Sequence, residues 1–149
     1  SGETIMAFSG NFMCTSFKQE LLEAEHDFNN GAHTFRMALY TDSASFNAAT
    51  TAYTTGNEIS GTGYTAKGVA LANVNPTTSG TTAIADFSPD ASWSTATFSA
   101  MGAMIFNDSH ASDASVLILD FGALKTATAG TFTVAFPVAD ASNAIIRIA

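Results

Sequence analysis

The sequence has few of the residues on which several common protein classes depend. It has a single cysteine, so no disulfide can form within the chain. Lysine and arginine together number five against thirteen acidic residues, and they are spread out, which leaves no basic patch for a nucleic-acid backbone. There is also no run of about 20 apolar residues, the length that a membrane-spanning helix requires. We therefore expect neither a nucleic-acid partner nor a membrane partner.

The charge content is low as well. Charged residues make up 12% of the chain and hydrophobic residues 46%, whereas a typical soluble domain is about 25% charged. Thr, Ser, Asn and Gly occupy the polar positions instead. Such a surface favours extended structure and also favours packing against neighbouring chains, so we predict a homo-oligomer. At 149 residues the chain fits one domain with a core of its own.

One segment near the N-terminus has helical spacing. The stretch from Ser16 reads SFKQELLEAEHDF, with Gln19 three residues after the serine, which is the capping-box pattern of a helix start. Phe17, Leu21 and Leu22 then form one apolar stripe. The FNNG that follows is typical of a helix end. The sequence therefore predicts one short N-terminal α-helix.

From residue 34 onward the hydrophobic period changes to two. Phe35, Met37 and Leu39 alternate with Arg36 and Ala38, which indicates a strand. Similar segments recur to the C-terminus, six or seven in all, separated by clusters of Gly, Pro, Asn, Asp and Ser. Because no helical pattern lies between them, parallel crossovers are disfavoured. We predict a mainly β fold, an antiparallel β-sandwich of jelly-roll-like form, with an immunoglobulin-like topology as the open alternative.

The N-terminal residues form a candidate interaction arm. We assign residues 1–12 to this arm and residues 13–149 to a single β-sandwich domain. Ile5, Phe8 and Phe12 are apolar, precede the helix and have no assigned place in the sandwich core. Two alternatives stay open. Either these side chains contact a partner, or Phe8 and Phe12 cover one open end of the sandwich.

A long Ala- and Thr-rich passage, residues 41–63, follows the first predicted strand. Loops of more than about 15 residues are usually functional or disordered. Because this passage contains Phe46 and Tyr53, we predict ordered packing and a contact with a neighbouring chain. Phe46 and Tyr53 therefore join the candidate interaction residues.

The stretch from Asn57 to Leu71, NEISGTGYTAKGVAL, is punctuated by glycine and could be a phosphate loop or a turn. It lacks the Gly-Lys-Ser/Thr ending of a phosphate loop and the full dinucleotide fingerprint. It also precedes a predicted strand and not a helix. We therefore predict a turn in which Gly61 and Gly63 let the chain reverse direction, with Tyr64 beginning the strand.

No group of residues has the sequence spacing of a catalytic or metal site. His26, His33 and His110 lie far apart, and none has a metal-ligand spacing. The loop FNDSHASDAS places Asp108 and Asp113 near His110, but it lacks the other ligands of a calcium loop, so a polar hairpin tip is the better interpretation. We predict no catalytic residues, no metal, no cofactor and no enzymatic activity.

Six segments are distinctive when they are read together: SFKQELLEAEHDF, HTFRMALYTDSA, TTAYTTGNEISGTGYTAKGVAL, SWSTATFSAMGAMIFND, ILDFGALKTATAGTFTVAFP and AIIRIA. In this order they resemble a family of small tailed-bacteriophage virion structural proteins, over nearly the whole chain from Phe8 to Ala149. The resemblance implies a capsid decoration, or cement, protein that binds the major capsid protein on the virion surface after assembly in the host cytoplasm. It also implies a homo-oligomer, with a trimer favoured.

Two other functions stay open. A tail, fibre or baseplate accessory protein would use the same fold and the same oligomerising surfaces. A carbohydrate-binding module would need Trp93 and tyrosine side chains exposed along a shallow groove. The number of copies in the particle distinguishes a head protein from a tail protein, and saturable glycan binding would identify the module.

Overall fold

A computed structural model describes residues 8–149. The predictions for Ile5 and the rest of residues 1–7 lie outside the described residues. The described range forms one helix and eight strands: β1 Phe12–Met13, α1 Thr15–Leu22, β2 Phe35–Tyr40, β3 Val69–Ala70, β4 Asn73–Ser79, β5 Thr82–Phe87, β6 Ala91–Asn107, β7 Ser115–Val134 and β8 Ile146–Ile148.

The strands form two antiparallel sheets. The five-stranded sheet has the order β1-β7-β6-β2-β3, and the three-stranded sheet has the order β4-β5-β8. The structure confirms the prediction of a mainly β, antiparallel sandwich with one short helix. That helix, α1, is the single helix of residues 8–149, and it is neither long enough nor apolar enough to cross a membrane.

A long hairpin of β6 and β7 forms the centre of the larger sheet. Residues 102–107 of β6 are all buried. Residues 91–101, which we call the outer half of β6, mostly alternate between buried and exposed. On β7 the pairing jumps from Asp120, opposite Gly102, to Lys125, opposite Ala100, so residues 121–124 bulge from the ladder. Bulges of this kind bend a strand and increase its twist.

The core between the sheets is rich in aromatic side chains. Those with no exposed surface are Phe8, Phe17, Phe35, Tyr40 and Phe106. Burial of one large apolar side chain contributes about 1.5 to 3 kcal/mol. The described residues therefore enclose a substantial core, and with one cysteine in the chain no internal disulfide contributes to it.

The helix is shorter than its sequence pattern predicts. Its N-cap is Cys14 and no side chain caps it, while the hydroxyl of Ser16 is buried without a partner, so the predicted Ser16 capping box is wrong. The chain leaves the helix at Leu22 and turns at Ala24, which has a φ of 62°. The predicted apolar stripe is also wrong at its end, because Phe17 is buried but Leu22 is 90% exposed.

The glycine-rich stretch forms a turn, but the strand after it begins later than predicted. β3 begins at Val69, and Tyr64 lies in irregular chain. Gly63 has a φ of 86°, and a Cβ on it would lie 3.0 Å from the backbone of Ala96, so glycine is required on two grounds. The turn is therefore fixed by its close approach to the outer half of β6, which the sequence pattern does not show.

Candidate functional site

The predicted interaction residues mostly lie within the fold of this chain. Phe8 has no exposed surface and Phe46 is 9% exposed; their rings meet edge to face with centroids 6.0 Å apart. Phe12 is half-buried in β1 and pairs with Ile118 of β7. Tyr53 is half-buried and stacks on Phe106, with centroids 4.6 Å apart.

These placements bear on the two alternatives for the arm. In the described residues, Phe8 and Phe46 are brought together and fill the core of their own chain. Phe12 packs against the same core from its edge. The packing of Phe8 and Phe12 favours the alternative in which they cover the sandwich.

An apolar groove lies between the end of α1 and the three-stranded sheet. Its volume is about 380 Å³, and its apolar lining includes Leu21, Ala24, Phe28, Ala83, Ile146 and Ile148. Ile148, which lines the groove, is 54% exposed. Exposed apolar side chains beside a groove make it a candidate interaction site. No sequence signal predicted the groove, because its walls are more than 100 residues apart in the chain.

The outer edge of β7 is a second candidate surface. β1 pairs with β7 only at Leu117 and Ile118, and no other described strand pairs with that edge. An open strand edge can pair with another chain, and bulges are one feature that prevents such pairing. Because residues 121–124 bulge and Ala129 has a φ of 47°, this edge is a poor template for strand addition. The apolar groove is the better candidate for a docking surface.

The three histidines, far apart in sequence, converge on one site. His26 and His110 stack with ring centroids 5.6 Å apart. The Nδ2 of Asn107 lies 3.0 Å from Nδ1 of His26 and 3.0 Å from Nδ1 of His33. We call this group, together with Glu20 and Glu25, the histidine clasp. It joins α1 and the turn after it to the end of β6 and the loop that follows.

The clasp contains two imidazole–carboxylate pairs. Nε2 of His26 lies 2.7 Å from Oε2 of Glu20, and Nε2 of His110 lies 2.7 Å from Oε2 of Glu25. The ligand atoms of Glu20, Glu25 and His110 all lie within 4.8 Å of one another, which is close to the spacing of a metal site. This spacing alone would suit a divalent cation.

The hydrogen bonds behind these side chains do not fit a metal site. A histidine that binds metal through Nε2 carries its proton on Nδ1 and donates it to an acceptor. Here Nδ1 of His110 accepts from the backbone N–H of Ser112, and Nδ1 of His26 accepts from Asn107. Both rings therefore carry their protons on Nε2 and donate them to the glutamates. The group is a hydrogen-bonded network in which metal binding would set two donors against each other.

A second polar group holds the glycine-rich turn. Oε2 of Glu58 accepts from the hydroxyl of Tyr64 at 2.6 Å and from the backbone N–H of Lys67 at 2.8 Å, and Oε1 accepts from the hydroxyl of Tyr53 at 2.5 Å. The Tyr64 oxygen in turn accepts from the N–H of Leu39 in β2. Burial, followed by the bond to Glu58, raises the pKa of both tyrosines, so they stay protonated donors.

We expect Glu58→Gln to lower the free energy of unfolding by about 1 to 2 kcal/mol, because three donors lose a charged acceptor. Urea titration measures the change. The matched control is Glu23→Gln, since Glu23 is exposed on the last turn of the helix and accepts only from Gln19 among the described residues. Equal losses in the two variants would contradict this role for Glu58.

Lys67 forms ion pairs with Asp108 and Asp113 in the loop that was predicted as a polar hairpin tip. Its Nζ lies 2.8 Å from Oδ1 of Asp108 and 3.0 Å from Oδ2 of Asp113. Hydrogen bonds to these carboxylates raise the pKa of Lys67, so its amine stays charged and is no nucleophile. Both aspartates thus have a cationic partner, which fits a structural tip and not a calcium loop.

The carbohydrate-binding alternative depended on an aromatic platform at Trp93. Trp93 is 3% exposed and packs against Phe98 and Phe132. Tyr40 has no exposed surface, and its hydroxyl donates to the carbonyl of Thr54. Neither side chain presents a face on which a sugar could stack.

No family model matches the chain, and the comparisons with curated proteins and with solved structures also found no match. The phage virion family therefore stays a prediction from the sequence segments.

Proposed function

We propose that this chain is a non-enzymatic bacteriophage virion structural protein, a decoration protein that binds the major capsid protein and stabilises the head shell. The observation that carries the proposal is the apolar groove between α1 and the three-stranded sheet, where Ile148 is 54% exposed among the described residues. In this proposal the groove is the docking surface for the shell. The sequence segments that resemble virion structural proteins supply the class of partner.

The composition supports the same proposal. A surface with few charges and many Thr and Ser residues loses little solvation energy at an interface. Many identical sites on a shell also multiply a modest contact at each site through avidity. A small groove can therefore suffice for stable attachment.

The test is binding of the purified chain to shells of the major capsid protein that lack it. We expect saturable co-sedimentation in proportion to the capsid protein, and in light scattering a particle with the mass of three chains. Ile148→Asp should weaken shell binding at least about tenfold, because it places a charge in the apolar groove. Leu124→Asp is the matched control, since Leu124 is 53% exposed, Ile148 is 54% exposed, and Leu124 does not line the groove.

Three outcomes would contradict the proposal. If each virion contains only as many copies of the chain as of a tail component, the chain belongs to the tail, fibre or baseplate. Saturable glycan binding without shell binding would identify a binding module. Equal shell binding by the Ile148→Asp and Leu124→Asp variants would exclude the apolar groove as the docking surface.

A further inference from the structure

All three imidazole rings of the histidine clasp accept a hydrogen bond on Nδ1. Two donors are backbone groups that cannot turn away: the N–H of Asp27, 3.2 Å from His33, and the N–H of Ser112, 3.2 Å from His110. The third donor, Nδ2 of Asn107, serves both His26 and His33. A ring can accept on Nδ1 only while that nitrogen is unprotonated.

The orientation of Asn107 is fixed by a further contact. Its Oδ1 accepts from the backbone N–H of Ser109 at 3.0 Å, so the amide cannot flip to offer an oxygen to the histidines. Asn107 has no exposed surface, and the side chain of His26 has none either. Water therefore cannot replace Asn107 as a partner when His26 gains a proton.

We propose that the histidine clasp is an acid-sensitive switch that holds α1 and the turn after it against the loop between β6 and β7, and that releases them as the rings are protonated. A proton added to Nδ1 of any of these rings would leave two hydrogen-bond donors facing each other. Protonation of both His26 and His110 would also place two positive charges in one stacked pair. Release frees the segment of residues 20–34, whose Phe28 stacks on Phe35 of β2 with centroids 4.2 Å apart.

The three rings face carboxylates on α1, on the turn after it and on the loop after β6. These carboxylates counteract the release only in part. Glu20 of α1 accepts from His26, and Glu25 of the turn accepts from His110. Either carboxylate would stabilise a cationic ring at Nε2, but neither reaches Nδ1. Asp27 lies beside His33, yet its carboxylate already accepts from Asn29. On the loop, Asp108 and Asp113 are paired with Lys67.

The buried ring sets the direction of the pH dependence. Burial lowers the pKa of His26, and the hydrogen bond to Glu20 offsets part of that effect. The closed clasp therefore keeps His26 neutral at a pH at which a freed histidine, with an ordinary pKa of about 6.5, takes up a proton. Closure is fully favoured above that pH and is progressively lost below it.

Nitrogen-detected NMR of the imidazoles in the full chain tests the hydrogen-bond directions. At neutral pH we expect the neutral tautomer with the proton on Nε2 for all three rings. On titration, the midpoint of His26 should lie below the ordinary value of about 6.5. A proton on Nδ1 of His26, or a midpoint at or above the ordinary value, would overturn the proposal.

Amide hydrogen exchange tests the release itself. After correction for intrinsic rates, protection of the amides in residues 20–34 should fall about tenfold per pH unit below the ordinary pKa of histidine, because burial in the closed clasp keeps His26 neutral. Protection in β6 should stay constant over the same range. Equal losses in both regions would indicate global unfolding and would contradict a local switch.

The Asn107→Asp variant is the sharpest test, because it keeps the shape of the side chain and the bond from Ser109 but replaces the donor with an acceptor. We expect the midpoint of His26 to rise above that of the wild type, and the acid-induced loss of protection to disappear. Asn75→Asp is the control, since it adds the same charge on β4 against the turn that follows α1, and it keeps the acceptor for the N–H of Asn30. An unchanged midpoint in Asn107→Asp, or an equal rise in both variants, would overturn the proposal; if Asn107→Asp does not fold, the wild-type titration decides.

Discussion

Replacing Gly68 with Ala is expected to unfold the protein or to lower its free energy of unfolding by at least about 4 kcal/mol. Gly68 has a φ of 67°, a conformation that costs an L-residue about 1 to 2 kcal/mol. The larger cost is steric, because a Cβ on Gly68 would lie 1.7 Å from the carbonyl oxygen of Met37. That oxygen belongs to β2, which is paired on both sides and cannot move away alone.

Gly80→Ala separates these two costs. Gly80 has a φ of 60°, but a Cβ there meets no atom within 4 Å, so we expect only the conformational cost of about 1 to 2 kcal/mol. Urea titration followed by tryptophan fluorescence measures both variants, since Trp93 is buried in the core. A similar loss in Gly68→Ala and Gly80→Ala would show that the glycine-rich stretch does not press against β2 as described.

β2 could be predicted from the alternation of its apolar residues, although residues 37–40 of this strand are all buried. The predicted change of period at residue 34 lies one residue before the observed start of β2 at Phe35. The sequence pattern predicted β6 as one strand that runs through Gly102, but it divided β7 into two shorter strands on either side of Gly122. In the structure Gly102 lies inside β6, where the ring of Phe8 leaves no room for a Cβ, and Gly122 lies in the bulge of β7.

The helix end could not be predicted from local spacing. LEAEHDF continues the helical pattern, but the chain turns at Ala24 and places His26 between Phe17 and Phe35 in the core. Tertiary packing therefore overrides the local helical preference after Leu22. The cost of the turn is offset by burial of His26 and Phe28.

The histidine clasp was missed because it depends on two features that local spacing does not show, the register of β2 on β6 and the turn at Ala24. Phe35 pairs with Asn107, and that register alone brings residue 33 beside the loop after β6. The turn at Ala24 then brings His26 to the same site, where it stacks on His110. The apolar groove had no such signal, since the sequence does not specify how the two sheets pack on each other.

The second large effect is expected at Phe8, where replacement with Ala should lower the free energy of unfolding by about 3 to 5 kcal/mol. Phe8 has no exposed surface, its backbone bridges to Phe46, and its ring packs directly over Gly102. Because Gly102 has no side chain, nothing nearby can fill the cavity that Ala would leave. Chemical denaturation measures the loss.

Phe12→Ala is the matched control, because Phe12 is half-buried in β1 and should cost clearly less. The comparison also decides the role of the N-terminal residues. A deletion of Ser1 to Asn11 would remove Phe8, so any loss of assembly would be mixed with a loss of folding. If Phe8→Ala keeps the stability of the wild type but no longer assembles, Phe8 acts as part of an interaction arm. If it loses stability as expected, the residues from Phe8 onward belong to the sandwich, and an arm can comprise only residues that precede Phe8.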